Sequence, residues 1–443
     1  MRLTENGYTV GLYTLGCKVS QYETEAIAEA FEDLGFTRLD ATDTCDVYVI
    51  NTCTVTAEAG RKCRQVIRRA IQKNPRAIVM VTGCHSQTNP EQIADIEGVA
   101  YIGGTADKLA LPREAQNLIL QREIAPVMAV SSLDGIEYEE MTVKTPPRTR
   151  AYVKIEDGCE CRCTYCAIPN ARGRVRSRNR ESVINEIKYL TSHGVREIVL
   201  TGIEIASYGR DLDGIRLIDL LEEIDSLSLD CRIRLGSITP ELLVEDFIQR
   251  IAALKCVTPH FHISLQSGCD KTLAAMKRRY NTSRVRTAME RLRTLIPRVT
   301  FTCDVIVGFP GESEEDFRDS CEFVRESRFL DAHIFAYSRR KDTPAASYPQ
   351  QISESVKKER SHTLIQIQKQ ITHELLCEMA KEKAPLYALF ETFCDGEWHG
   401  HTDTYAEVCV RCDGDMQGKA ATVIPTHAEN GKIYGTLMPE STK

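Results

Sequence analysis

Between Gly158 and Arg178 the chain reads GCECRCTYCAIPNARGRVRSR, which places Cys159, Cys161, Cys163 and Cys166 within eight positions. Thiolates this dense bind soft metals, and the first question is how many of them bind. One reading closes a structural zinc tetrahedron with all four. Such sites usually pair two Cys-x-x-Cys arms from separate turns, and four thiolates in so short a run strain that geometry. The other reading takes Cys159, Cys163 and Cys166, spaced CxxxCxxC, as ligands to three irons of a 4Fe-4S cluster and leaves the fourth iron free of protein. Cys161 is then a spare thiol pointing away. An open iron can chelate the amino and carboxylate groups of S-adenosylmethionine, whose sulfonium an electron from the cluster can split to a radical. Spacing favours the cluster, and both readings stay open on the residues alone.

Arg172, Arg174, Arg176, Arg178 and Arg180 alternate with other residues directly after the cysteines. In an extended segment every second side chain points the same way, so these arginines would present one phosphate-binding edge for RNA. A solvated charged edge is the plainer alternative. A second basic run holds Lys277, Arg278, Arg279, Arg284, Arg286, Arg291 and Arg293. The net charge of -7 argues against bulk binding of nucleic acid, so distribution has to carry any such partner.

The elements that must position these residues fall into three groups, expected over 1–145, 146–376 and 377–443. In the first, VGLYTL, DVYVIN and AIVMVTG alternate with helical stretches and predict an α/β domain with an open parallel sheet. Ligands collect at the carboxyl ends of such strands, where Cys17, Cys53 and Cys84 lie. The run VKTPPRTR reads as a linker. A second α/β series follows, with AYVKI, EIVLTG, RIRLGS, FHISLQSG, FTCDVIVGF and HIFAYS as strands. Six strand-helix repeats predict an incomplete (βα)6 barrel with its active groups at the strand carboxyl ends. The cysteine cluster follows the first of these strands. Thr201 and Gly202 end the second strand, Ser237 follows the third and Gln266 ends the fourth; they suit a ribose or methionyl group, or cap helices. Gly308 and Gly311 in VIVGFPGES fit an ordinary βα turn. A long helical connector then leads to short alternating strands, a small all-β module. From Glu378 to Lys443 that module carries 6 Lys and Arg against 11 Asp and Glu, a poor balance for gripping phosphate.

With 443 residues, 42% of them hydrophobic, the chain can bury several separate cores. No stretch is long and apolar enough for a membrane helix, and MRLTENGYTV lacks a secretory pattern, so a cytoplasmic, membrane-free location is expected. In a reducing compartment 18 cysteines imply metal ligands and small core residues more than disulfides.

CxxxCxxC with Tyr165 just before its last cysteine resembles the radical S-adenosylmethionine signature. GFPGESEEDF, HISLQSG, and the cysteines in TLGCKVSQYETEA, VINTCTV and VTGC are similar to the methylthiotransferases over essentially the whole chain. The all-β module resembles a TRAM domain. TLGCKVSQYETE and ARGRVRSR look most like the MtaB-type branch, which acts on N6-threonylcarbamoyladenosine in tRNA. The resemblance implies that Cys159, Cys163 and Cys166 hold the radical-generating cluster, that Tyr165 lies beside S-adenosylmethionine, that Arg278 pairs with its carboxylate, and that Gly308 and Gly311 approach its adenine. It also implies a second 4Fe-4S cluster on Cys17, Cys53 and Cys84, whose open iron carries the sulfur. One S-adenosylmethionine would methylate that sulfur, and another would yield the radical that activates carbon 2 of the adenine. A flavodoxin or ferredoxin as electron donor, a sulfur source and the tRNA would be the partners. Both open irons must then face one cavity. Two departures stand out: Glu160 and Cys161 occupy positions where Asn and a non-cysteine are common, and Ser264 replaces a frequent proline. The rivals are the same chemistry on isopentenyladenosine or on a ribosomal-protein aspartate, and a non-catalytic iron-sulfur or zinc RNA-binding protein.

Overall fold

The computed structural model describes residues 7–54, 57–121 and 126–438. Its first sheet comprises β1 (Thr9–Thr14), β2 (Thr37–Leu39), β3 (Val47–Thr52), β4 (Ile78–Gly83), β5 (Val99–Gly103) and β6 (Val127–Ala129), in the order β2-β1-β3-β4-β5-β6. All its pairings are parallel. A parallel sheet needs helices on both faces, and alternation within the strands supplies a side chain to each. Val47 and Val49 pack with Ile27 and Phe31 of α1 (Lys18–Asp33) and with Leu111 and Leu118 of α5 (Leu111–Leu120). Tyr48 and Ile50 pack on the other face, with Ile67 and Ala70 of α2 (Ala57–Lys73) and Ile93 of α4 (Pro90–Ala94). The short α3 (Cys84–Thr88) starts where β4 stops.

The central region is an open barrel. β7 (Ala151–Lys154), β10 (Glu197–Thr201) and β11 (Arg232–Leu235) form one arc in the order β11-β10-β7. β12 (Ser237–Ile238), β13 (His260–Gln266), β14 (Thr300–Val307) and β15 (Asp331–Ala336) form the other, again parallel. Helices α7 (Arg180–Ser192), α8 (Leu217–Ser226), α9 (Glu245–Ala252), α10 (Asp270–Ala275), α11 (Thr282–Leu295) and α12 (Glu314–Ser327) follow successive strands. Phe261, Ile263, Leu265, Cys303, Val305 and Val307 join the buried core with residues of these helices. By the two-residue period, His260, His262, Ser264 and Gln266 of β13 and Thr302, Asp304 and Ile306 of β14 point the other way, into the barrel. A small antiparallel pair, β8 (Glu156–Asp157) and β9 (Arg176–Ser177), brackets the cysteine loop and α6 (Ile168–Arg172).

The last segment closes into a barrel of β16 (Leu386–Cys394), β17 (Glu397–Thr402), β18 (Glu407–Val410), β19 (Ala420–Glu429) and β20 (Lys432–Leu437). The long α13 (Glu354–Glu382) joins it to the open barrel, giving Leu364 and Ile371 to the larger core and Leu376 to the smaller. The two also meet through charge at the amino ends of the open barrel's strands. Arg232 donates to the carbonyls of Tyr387 (3.2 Å) and His401 (2.9 Å), and Arg234 to those of Thr402 and Asp403 (both 3.1 Å). Both guanidiniums are held by the buried Glu197, and Tyr405 stacks on His260 at 4.5 Å. The amino end of the open barrel is thus plugged, and only the carboxyl end is left for chemistry.

Burial favours a protonated Glu197, yet Arg234 and Arg232 outweigh it and hold the carboxyl down at about 2. A depressed carboxylate contributes stability that is whole above its unfolded pKa and lost as pH falls through the folded one. Glu197→Gln strands these arginines without a counter-charge and is expected to destabilise the protein by about 3–5 kcal/mol at neutral pH. Denaturant titration of both proteins from pH 7 down to pH 3 checks this, with the gap narrowing as pH falls.

Candidate active site at the domain junction

Cys17 lies three residues past the end of β1, Cys53 follows β3 and Cys84 follows β4. The register pairs Thr14 with Asn51 and Thr52 with Gly83, so adjacent strands deliver Cys53 and Cys84 side by side. Gly16 lets the β1 loop join them: a Cβ there would come within 3.8 Å of the Cys53 Cβ and would strike Ser20. Cys84 is buried, which pushes its thiol up, while Arg172 and Lys108 pull it down; nearby Cys17 adds to the rise. Arg172 Nε donates to Cys84 Sγ at 3.2 Å.

Of the first three cysteines Cys17 joins the second set in one cavity, and Cys53 and Cys84 are not part of its wall. Cys159, Cys161, Cys163 and Cys166 line a chamber of about 460 Å³, and Cys17 lines it with them. Arg278 Nη1 donates to Cys163 Sγ at 3.1 Å and its Nε to the Tyr280 hydroxyl at 2.9 Å. A hydrogen bond within the Cys159–Cys161 pair pushes Cys159 up and holds Cys161 down at about 6, with Arg278 adding to the latter. The expectation that Cys161 points away is therefore corrected: its thiol lies in the chamber wall beside Cys159. The donor set suits iron-sulfur clusters, because soft thiolates cluster on each side and one arginine per side donates to a sulfur, a contact that tunes such centres.

The expected phosphate edge is not there. The segment after the cysteines folds into α6 and a turn before the two-residue β9, so the alternation never runs along one strand. Arg172 and Arg178 are fully buried and Arg176 is nearly so; only Arg174 and Arg180 of the five are exposed. Arg172 pairs with Glu23 of α1 and, at 3.1 Å, with Asp157. Glu23 also binds Lys108 and, at 2.8 Å, Lys154, which reaches Asp157 at 2.7 Å; Arg176 lies 3.6 Å from Asp157. Arg178 pairs with Glu186 and donates to the Tyr22 hydroxyl at 3.2 Å. These arginines join the first domain to the barrel instead of meeting solvent. Arg172, Arg176 and Arg178 are withdrawn as RNA contacts.

Of the other candidates, Tyr165, Ser237, Gln266 and Arg278 line the chamber, and Thr201, Gly202, Gly308 and Gly311 do not. Gly308 and Gly311 have φ of 72° and 83°, left-handed values that favour glycine. A Cβ on Gly308 would also meet Lys357 at 2.4 Å, so the turn itself accounts for that glycine. Gln266 is different: a side-chain-bearing residue at φ 67°, placed at the chamber by a register shift at the end of β13. The reading by motif missed Ile203, Glu204, Thr239, Asp304, Phe335 and Tyr337 in the wall. The signal for Asp304 was present, the one charge in a strand of threonines and apolar residues, at an inward position.

The Radical SAM superfamily model matches residues 153–324, and the model described as Uncharacterized protein family UPF0004 matches residues 9–104. The threonylcarbamoyladenosine tRNA methylthiotransferase MtaB of Bacillus subtilis (strain 168) is 40% identical over 421 residues, covering 94% of this chain and 93% of the relative. A tRNA-2-methylthio-N(6)-dimethylallyladenosine synthase of Carboxydothermus hydrogenoformans is 35% identical over 456 residues, 98% of this chain and all of the relative. Among solved structures, the radical S-adenosylmethionine methyltransferase TsrM from Kitasatospora setae superposes with a TM-score of 0.56 at 17% identity over 77% of each chain, a likeness of fold. No helix among the described residues is long and apolar enough to cross a membrane.

Thiolate fraction and access together set alkylation rate. In the reduced, metal-free protein at pH 7, iodoacetamide is expected to label the half-buried Cys161 well ahead of the buried Cys84. Peptide mass spectrometry over a time course reads the order, and Cys84 labelled ahead of Cys161 would contradict the geometry.

Proposed function

Because the chain belongs to the radical S-adenosylmethionine methylthiotransferase family, we propose that it methylthiolates carbon 2 of N6-threonylcarbamoyladenosine beside the anticodon of tRNA, using S-adenosylmethionine and two 4Fe-4S clusters. The observation that carries this reading is the meeting of Cys17 with Cys159, Cys163 and Cys166 in one chamber. Sulfur insertion at an aryl carbon needs a radical source and a sulfur carrier at the same atom, and one cavity serves both. The choice of nucleoside is supported by the 40% identity to the Bacillus subtilis threonylcarbamoyladenosine enzyme against 35% to the dimethylallyladenosine synthase.

In this reading Cys159, Cys163 and Cys166 hold one cluster and Cys17, Cys53 and Cys84 the other. When bound, these clusters with S-adenosylmethionine supply one-electron sulfonium cleavage, which an unreactive aryl carbon-hydrogen bond requires, and a methylated sulfur for insertion. The chain's own residues prepare the site. Arg278 and Arg172 donate to Cys163 and Cys84 and favour the thiolate form of each. Glu204 is pushed up to about 8, by burial first and by Cys161 next, and so carries its proton near neutral pH, ready to donate to a polar cofactor group. Ile168, Ile203 and Ile306 add apolar surface to the chamber wall.

With the arginine edge withdrawn, α2 is the better phosphate surface. It carries Arg61, Lys62, Arg64, Arg68, Arg69 and Lys73 against the single acidic Glu58, and it begins at the strand edge that bears Cys53.

Anaerobic reconstitution is expected to give about eight irons per chain, and Cys163→Ala about four. Cys161→Ala is expected to keep eight irons and most of the reductive cleavage of S-adenosylmethionine; equal losses in the two variants would make Cys161 a ligand. In a strain lacking the protein, nucleoside mass spectrometry should show loss of 2-methylthio-N6-threonylcarbamoyladenosine. Loss of the isopentenyl derivative alone would move the activity to that nucleoside, and zinc with negligible iron would remove the enzyme reading.

A further inference from the structure

Farther along the barrel, on β13 to β15, Asp304 and Phe335 line the chamber and two histidines adjoin Asp304, groups that the cluster chemistry does not use. The register sets His262 beside Thr302 and Asp304 beside His333. Asp304 lies 3.2 Å from His262 Nε2 and 3.1 Å from His333 Nδ1, one imidazole per carboxylate oxygen. His262 is fixed from behind by Thr302, whose hydroxyl lies 2.8 Å from its Nδ1. Each carboxylate oxygen keeps a second lone pair for an incoming donor. Phe335, two residues beyond His333 on the same strand face, lines the chamber with 47% of its surface exposed and its ring 6.4 Å from the His333 ring. An apolar ring left this open within a cavity is available to a flat ligand.

We propose that this wall is the recognition subsite for the target nucleoside: Phe335 stacks on the adenine, Asp304 accepts hydrogen bonds from the N6 substituent, and His333 receives that substituent's carboxylate. The inference rests on the threonylcarbamoyl reading above and extends it to named residues. In adenine, carbon 2 and N6 lie on opposite sides of N1. A base that turns carbon 2 toward the cysteines therefore directs its N6 group away from them, toward β14 and β15. The threonylcarbamoyl group brings ureido N–H donors, a hydroxyl and a carboxylate, the complements of a carboxylate flanked by two imidazoles. An isopentenyl group brings none of these and would leave Asp304 and both imidazoles desolvated without new partners, which is how a polar subsite rejects an apolar analogue. Single-stranded RNA bases are commonly held on an aromatic ring in this way.

The test uses reconstituted holoenzyme and anticodon stem-loops carrying N6-threonylcarbamoyladenosine, N6-isopentenyladenosine or plain adenosine, with affinities read by fluorescence anisotropy. The wild type is expected to favour the threonylcarbamoyl stem-loop over plain adenosine by about tenfold to a hundredfold. His333→Gln, at the open strand edge where folding is least at risk, should cut that preference to about threefold or less; Asp304→Asn should do the same. Affinity for the plain stem-loop should move less than the preference does, since a merely structural defect would lower both together. If the wild type discriminates and both variants keep the preference, the subsite is overturned while the nucleoside assignment stands. A wild type that favours the isopentenyl stem-loop overturns the assignment and the subsite with it. A stoichiometric metal beyond the eight irons, released by His333→Gln with the preference intact, would make the two histidines and Asp304 a metal site and overturn the subsite.

Discussion

One buried carboxylate, Glu23, holds the arrangement together. It sits on α1 of the first domain with no exposure, and it binds Lys108 from its own domain and Lys154 and Arg172 from the barrel. With Asp157 included, two carboxylates meet four cations, Arg176 being the fourth. Taking such charges out of water costs several kcal/mol per ion, and good mutual geometry recovers it only when the pairs are complete. A network this deep is therefore intolerant of displacement, and it fixes how the two domains sit. Its surplus of positive charge is not spread evenly. Arg172 points one nitrogen at Cys84, so the same guanidinium that joins the domains also donates to a cysteine of the first set. Position and electrostatics of the candidate site come from a single device.

The two ends of the open barrel divide the work that follows. At the amino ends, Glu197 and its arginines take up backbone carbonyls of the small β-barrel, and Tyr405 covers His260. At the carboxyl ends the interior remains polar, with Ser264, Gln266 and Asp304 exposed to the chamber. An incomplete barrel leaves a side open as well as an end, and the first domain contributes Cys17 to the chamber wall. The chamber thus belongs to neither domain alone.

Much of this was legible in the residues. Six runs stand out as barrel strands because each is apolar or alternating and ends in Gly, Ser or a helix cap, though RIRLGS reads as one where the barrel has β11 and the start of β12, and Cys159, Cys163 and Cys166 announce themselves by spacing. In the first domain, β2 and β6 have three residues each, too few to show a period, and passed unread. The arginine run misled for a physical reason: alternation implies one face only if the segment stays extended, and here α6 and the turn at Gly173 break it. Whether a charge is solvated or buried depends on its partner, and Glu23 lies 149 positions from Arg172. Asp304 and His262 were visible as polar residues on the inward period of β13 and β14, but only once the strands were known to enclose a chamber and not a dry core.

The central claim is that two metal centres, each held by three cysteines, turn their uncovered corners into the same space. It is tested most directly by iron-edge anomalous diffraction from anaerobically reconstituted crystals. The account requires two four-iron peaks on opposite walls of the chamber, one against Cys159, Cys163 and Cys166 and the other against Cys17, Cys53 and Cys84. A single peak, or a fourth cysteine such as Cys161 or Cys63 bound to either cluster, would contradict it.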